Sequence, residues 1–106
     1  MKPGELRHRV AVYTADEVSD GGGGMTPTAR LLGNSWAAII PASSYEKTIG
    51  QSLKMEVSHV IKMRYRSDID TESWLSFRDR KFSISSIKNV DERNAELEIM
   101  AIEVRS

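Results

Sequence analysis

Few residues of the chain have the type and spacing that catalysis requires. His8 and His59 are its only histidines, and it has no cysteine. Nucleophilic hydrolysis needs a nucleophile, a base and a group that orients the base. Both histidines fall on the predominantly apolar sides of predicted strands, which favours a structural role for each. Neither a Gly-x-Ser-x-Gly elbow nor a His-Glu-x-x-His motif is present. We therefore predict a protein that is not an enzyme and that uses no cofactor.

Two further clusters could bind ions. Asp68 and Asp70 have a spacing that would suit a hard divalent cation, although acids at this spacing in a turn are more often exposed turn formers. The four glycines at positions 21–24 resemble a phosphate-binding loop in composition. They lack the Gly-Lys-Ser/Thr ending and the following amphipathic helix of such loops. We expect no metal site and no nucleotide site.

Nucleic-acid binding is the main alternative function. Arg64-Tyr65-Arg66 combines basic groups that neutralise phosphate with an aromatic ring that stacks on bases. However, 15 basic residues balance 15 acidic ones, and Tyr65 should point inward if its neighbours point outward. A small barrel that binds single-stranded nucleic acid thus remains a less favoured alternative. A carbohydrate-binding or enzyme-accessory barrel is another, and it would require Trp36 and Trp74 to be exposed.

Period-two alternation predicts the elements that position these residues. It is clearest in 6–12 and in 55–66, where Met55, Val57, His59, Ile61, Met63 and Tyr65 share one face. Further strands are predicted at 35–40, 74–77, 82–88 and 95–104, with a tight hairpin connection at 78–81. Ala42 to Leu53 could contain a short helix, because Ser43 and Glu46 have capping-box spacing. This pattern predicts an all-β fold: a small single-domain β-barrel of about six antiparallel strands, with long loops and at most one short helix.

The predicted barrel should comprise residues 1–106 as one domain. Its core should contain eight apolar residues: Leu6, Val10, Val12, Val57, Ile61, Met63, Phe82 and Ile84. Residues 16–30 include four consecutive glycines and a proline, so they are predicted to be a flexible loop. The N-terminus lacks the apolar run of a signal peptide, and no stretch approaches the roughly 20 apolar residues that span a bilayer. We expect no contact with a membrane.

The order of several short motifs resembles the phage head–tail joining, or head-completion, protein family over nearly the whole chain. The similar segments are the opening Gly4-x-Leu6-Arg7-His8-Arg9-Val10, the Gly-rich segment leading to Trp36 and Pro41, the central strand 59–69, and the C-terminal hairpin from Arg80. The tetraglycine is longer than expected for the family, and Ser73-Trp74-Leu75 replaces an expected arginine-containing segment. The positions that carry the resemblance most directly are Leu6, Arg7, His8, Arg9, Trp36, Pro41, Arg64, Tyr65, Arg66, Asp91, Arg93 and Asn94.

The resemblance implies a structural protein of a tailed phage or prophage. Such a protein would form a homo-oligomeric ring at the head–tail junction of the virion, after assembly in the host cytoplasm. Its partners would be portal, adaptor and tail proteins, with double-stranded DNA passing through the channel without sequence-specific binding. We predict a channel-facing loop within residues 42–54, formed by Ser43, Ser44, Tyr45, Glu46, Thr48 and Gln51. A docking loop is predicted at Asp20, Gly21, Gly22, Gly23 and Gly24.

Overall fold

The computed structural model describes residues 6–19, 21–53 and 55–104. Six antiparallel strands close into a barrel in the order β1-β2-β3-β6-β5-β4, as the sequence predicts. The elements are β1 (His8–Ser19), β2 (Met25–Pro41), α1 (Ala42–Ile49), β3 (His59–Arg64), β4 (Ser73–Phe77), β5 (Arg80–Asn89), a 3-10 helix (Val90–Glu92) and β6 (Glu96–Val104). None of the helices in the described ranges has the length and hydrophobicity that crossing a membrane would need.

The barrel interior is filled by alternate residues of all six strands, because successive side chains of a strand point to opposite faces. Seven of the eight predicted core residues are buried, and the exception is Val57, which is half-buried because it precedes β3. The sequence prediction omitted several other buried residues, namely Ala37, Val60, Ile69, Leu75, Leu97, Ile99 and Ala101.

The central strand is shorter than predicted. It begins at His59, so Met55 lies outside the sheet and is exposed. It ends at Arg64, and the prediction that Tyr65 points inward was wrong: this side chain is 37% exposed. The backbone N–H of Tyr65 still bonds the carbonyl of Ala95. Alternation along a strand therefore predicts the faces correctly only where the strand remains paired.

The predicted helix exists, but the capping box that suggested it does not. Pro41 is the N-cap residue, and no side chain caps this end. The Glu46 carboxylate instead accepts a hydrogen bond of 2.8 Å from the backbone N–H of Leu53, beyond the helix. Gly50 ends α1 in the left-handed conformation, φ 72°, and its N–H bonds the Glu46 carbonyl at 2.9 Å. This C-terminal geometry explains why a glycine occurs there.

Residues 16–30 are not the loop that the glycines predicted. β1 and β2 pair from His8↔Ala37 to Ser19↔Met25, with one register shift between Val12 and Tyr13, so the only described residues between the two strands are 21–24. β4 pairs with β1 only as far as Thr14, and β3 pairs with β2 only from Ala37 onward. Beyond these positions the two strands pair only with each other. We call the hairpin formed by residues 15–19 and 21–31 the arm. Its mobility remains a prediction.

Candidate functional site

The arm leaves the barrel at a β-bulge that one arginine holds. The β1–β2 register shifts so that Val12 pairs with Gly33 and Tyr13 with Leu31, which leaves Leu32 as the extra residue. The Arg66 guanidinium donates to the carbonyls of Leu32 at 3.2 Å and of Asn34 at 3.3 Å. These bonds satisfy the backbone carbonyl of the extra residue, Leu32, and that of Asn34, two residues later. We call this group the Arg66 clamp.

A carboxylate fixes the orientation of the clamp. Asp68 accepts hydrogen bonds from Nε and Nη2 of Arg66 at 2.9 and 2.8 Å, which is the bidentate geometry that arginine favours. These hydrogen bonds lower the pKa of Asp68 and raise that of Arg66. Gly33 lies directly beneath, with φ 148°, and a Cβ added there would lie 3.2 Å from Arg66 Nη2. The residue is a glycine because both its backbone conformation and its neighbour disfavour a side chain.

The pair of acids that suggested a cation site has other roles. Asp68 binds Arg66, while Oδ1 of Asp70 accepts hydrogen bonds from the Glu72 N–H at 2.9 Å and the Ser73 hydroxyl at 3.3 Å. In residues 6–19, 21–53 and 55–104 no group of three or more His, Cys, Asp or Glu residues could hold a metal ion. Both carboxylates thus organise the turn that precedes β4.

The two faces of the arm differ in polarity. One face carries the ion pair between Arg30 and Asp16, with 3.1 Å between Nε and Oδ2, and Thr14 and Thr28 lie on the same side. The register places mainly apolar residues on the opposite side, where Met25 is 57% and Leu31 52% exposed. We call this side the apolar arm face; it consists of Ala15, Glu17, Ser19, Met25, Pro27, Ala29 and Leu31.

Basic residues flank an exposed tryptophan on the outside of the barrel, and Glu96 and Glu98 of β6 lie opposite Arg64 and Lys62. Trp36 is 53% exposed and pairs with Arg9, and the pairing of Ala37 with Met63 places Arg64 on its other side. An adjoining cleft is lined by Arg7, His8, Ala38, Ile39, Ile40 and Lys62. Among the described residues, neither Arg9 nor Arg64 forms an ion pair. We call Arg9, Trp36, Lys62 and Arg64 the Trp36 patch.

The predicted channel-facing residues divide into two groups on and after α1. The Tyr45 hydroxyl donates to Glu98 at 2.8 Å and Lys62 lies over its ring, so this residue anchors α1 to β3 and β6. Burial and the Glu98 carboxylate raise the pKa of Tyr45 to about 12. Glu46 is half-buried against the following turn. The exposed members are all uncharged: Ser43, Ser44, Thr48 and Gln51.

The predicted docking residues lie at the far end of the arm. Gly21, Gly22 and Gly23 are exposed and Gly24 is half-buried, whereas Asp20 is outside the described residues. β2 has 17 residues and runs from this turn to α1, and the longest dimension of the molecule is 54 Å. The two candidate loops therefore lie at opposite ends of β2.

Both histidines contact aromatic rings at the barrel wall. His8 packs on Phe77 with 4.7 Å between ring centroids, and His59 meets the edge of Phe82 at 5.2 Å. Desolvation, with a smaller effect of Arg80, lowers the pKa of His59. Arg80 in turn donates to both carboxylate oxygens of Glu103, at 3.1 and 2.9 Å. These contacts join β3, β5 and β6 at one end of the barrel.

The C-terminal motif residues shape a turn. Asp91 has φ 54° within the 3-10 helix, and Asn94 has a similar positive φ. The side-chain amide of Asn89 donates to Asn94 at 2.7 Å, and its oxygen accepts from the Asn94 N–H at 3.2 Å. Arg93 is exposed, and its backbone N–H bonds the Val90 carbonyl. The motif therefore connects β5 to β6.

Sequence reasoning missed the Arg66 clamp and the arm. Gly33 was the available signal, because an isolated glycine within a strand often marks a bulge. The partner of Arg66, however, is a backbone carbonyl 34 residues away in sequence, at Leu32. Side-chain types alone do not reveal such a contact.

Comparison with known proteins gives a family and a fold. The family described as phage head completion protein matches residues 1–104. No curated protein matches the chain. The solution structure of protein SF1141 from Shigella flexneri 2a is similar, with a TM-score of 0.73 and 24% identity over 97% of this chain and 96% of that one. A chain in the virion of a native gene transfer agent particle is also similar, with a TM-score of 0.64 and 20% identity over 95% and 97%.

Proposed function

Because this chain belongs to the phage head completion protein family, we propose that it is a non-enzymatic structural subunit of a ring at the head–tail junction of a tailed phage or prophage virion. The ring would help to retain packaged DNA and would provide the surface on which the tail docks. Portal or adaptor proteins would lie on one side and tail proteins on the other. Assembly would take place in the host cytoplasm.

The separation of two exposed segments by a rigid barrel is the observation that carries this proposal. A closed barrel has no free sheet edge, so it is a stable support for segments that contact neighbours. The arm contains the first seven residues of β2, Met25 to Leu31, and α1 begins where β2 ends at Pro41. A subunit between two different neighbours needs contact surfaces that are well separated, and this architecture supplies them.

We propose that α1 and the turn after it face the channel. In residues 42–53, the part of this segment that the structure describes, the exposed side chains are uncharged apart from Lys47, so copies that converge around an axis would not repel one another strongly. The Tyr45–Glu98 hydrogen bond holds the segment on the barrel and leaves the other side of the helix available. A formal net charge of zero is also compatible with DNA movement through the ring, because a strongly basic wall would retain phosphate.

The opposite end of β2 would dock onto an adjoining ring. The turn at residues 21–24 is small and mostly exposed, and it adapts to a neighbour at little steric cost. We therefore propose that the arm tip meets a protein of a different ring, while α1 meets equivalent segments of its own ring.

Particles assembled without this chain test the proposed function. We expect the heads to package DNA and then to lose it, and we expect them not to join tails. Sensitivity of the DNA to added nuclease measures retention, and electron microscopy measures tail attachment. Supplying the purified chain afterwards should restore both. Tailed, nuclease-resistant particles that lack the chain would contradict the proposal.

Adding negative charge to the proposed channel side should weaken DNA retention. In Ser44→Asp/Gln51→Asp particles, carboxylates from several copies would meet near the axis and repel one another and the DNA. We expect normal incorporation of the variant but a larger nuclease-sensitive fraction. The matched control is Thr71→Asp/Ser85→Asp, which adds the same charge at two exposed sites outside α1 and the turn after it. Equal DNA retention in the two kinds of particle would show that α1 does not face the channel.

A further inference from the structure

We propose that the apolar arm face of one copy packs across the Trp36 patch of a second copy, in a head-to-tail contact that repeats around the ring. This inference rests on the proposed function, since it supplies the subunit contact that a ring requires. It assigns a partner to the paired strands of the arm. The turn at its tip remains the part that reaches an adjoining ring.

The apolar arm face is an unpartnered surface. It carries Met25 and Leu31, both more than half exposed, on a two-stranded ribbon that pairs with no third strand in the described part of the chain. Isolated two-stranded hairpins are marginally stable in water, and contiguous exposed apolar surface usually marks an interaction site. Packing against a second surface would remove these side chains from water and would stabilise the ribbon.

The Trp36 patch is a complementary surface. An exposed tryptophan beside arginines is a typical composition for the centre of a protein interface. The lining of the adjoining cleft includes three apolar residues, Ala38, Ile39 and Ile40. The tryptophan and these apolar residues can accept the apolar side chains of an arm, and the flanking arginines can accept a carboxylate.

Charge selects the register between the two surfaces. Glu17 is the only ionisable carboxylate on the apolar arm face and is exposed. In the described part of the chain, Arg9 and Arg64 are exposed without ion-pair partners on either side of Trp36. An arm lying over Trp36 therefore places one acid between two bases, and burial at the interface strengthens that attraction.

The partner must be another molecule. Arg9, Tyr13 and Glu17 occupy the same side of β1, so the patch and the apolar arm face are two ends of one continuous surface. The arm cannot fold back onto its own patch unless the paired ribbon breaks. It extends about five residues past the last β4 contact, or roughly 17 Å at strand spacing. This reach is enough to cross a neighbouring sheet.

The geometry also restricts the symmetry. A contact between two different patches of identical molecules is heterologous, and it generates closed rings when the rotation is suitable. In the alternative arrangement, two copies form a closed dimer in which the arm of each copy contacts the Trp36 patch of the other. Counting the covalent species in a cross-linking experiment separates these arrangements.

Cysteine cross-linking in particles is direct, because the natural chain has no cysteine. Particles carrying Glu17→Cys/Arg64→Cys should give, with a short bis-maleimide, a ladder of covalent oligomers that ends at the ring size. Glu17→Cys/Ser85→Cys is the control, with its second thiol on β5 away from the patch. Dimers only, or a ladder no stronger than that of the control, would overturn the head-to-tail contact.

Charge reversal tests the same contact without a reagent. Glu17→Arg alone and Arg9→Glu/Arg64→Glu alone should each reduce incorporation into particles, and combining all three changes should restore it. Circular dichroism of each purified variant checks that the barrel is folded. Failure of the triple variant to recover, with the folds intact, would overturn the inference.

Further results distinguish failure of the arm–patch contact from failure of the proposed function, and distinguish a protein contact from nucleic-acid binding at the Trp36 patch. If unaltered particles retain DNA and contain the chain but give no specific cross-links, the inference fails and the proposed function stands. If the particles do not contain the chain, the proposed function fails. Tight binding of a single-stranded oligonucleotide that Trp36→Ala abolishes would assign the patch to nucleic acid and would overturn the protein contact.

Discussion

Replacing Ile61 by alanine is expected to lower the free energy of unfolding by about 2–5 kcal/mol, the range for buried large-to-small substitutions. Ile61 is fully buried in β3, between Ile39 of β2 and Ile99 of β6 in the ladder. In a barrel closed by hydrogen bonds on every side, neighbouring strands cannot easily move inward to fill the cavity. Urea denaturation followed by circular dichroism measures the loss.

Ile49→Ala is the matched control, because it removes the same atoms from a site that is 37% exposed on α1. Alanine also has the higher helix propensity, so a change below about 1 kcal/mol is expected. Equal losses for the two variants would contradict the assignment of Ile61 to the barrel core.

Replacing Arg66 by alanine is expected to cost about 1–3 kcal/mol and to release the base of the arm. The change removes the donors to the Leu32 and Asn34 carbonyls and leaves Asp68 without its cationic partner. Hydrogen–deuterium exchange should therefore accelerate at the amides of residues 13–19 and 25–33, with the barrel strands less affected. Arg64→Ala, an exposed arginine two positions earlier, should leave exchange in the isolated chain unchanged.

Gly33→Ala shows whether the clamp and the bulge act together. The new methyl group would lie against the guanidinium, and the residue would have an unfavourable φ. Only the first of these costs depends on Arg66. Gly33→Ala should consequently destabilise the natural chain more than it destabilises the Arg66→Ala variant. An equal loss of unfolding free energy in the two backgrounds would mean that the Arg66 guanidinium makes no steric contact with a side chain at position 33.

The sequence alone predicted the barrel and half of its core, seven of the 14 buried apolar residues in the described part of the chain. Alternation in β1, β3 and β5 identified the inward residues, because a period of two is a local property of an extended chain. The short helix also lay within the predicted region, although its start depends on Pro41 and not on a capping box. These features follow from residues that are close in sequence.

The prediction failed where partners are distant in sequence. Four glycines suggested a loop at residues 16–30, but pairing between β1 and β2 continues almost to the glycines and makes the segment an arm. Pairing energy depends on the partner strand, which composition does not describe. Tyr65 was placed inward for a related reason, since alternation gives no signal for the end of a strand.

The sequence by itself thus determined the fold class, the alternating faces and, through the order of its motifs, the resemblance to the head-completion family. Only the tertiary structure showed that Arg66, oriented by Asp68, holds the bulge at the base of the arm. It also placed Arg9, Trp36 and Arg64 side by side. The physical reason is that strand register brings together residues that are far apart in sequence, and a surface becomes a site only through such neighbours.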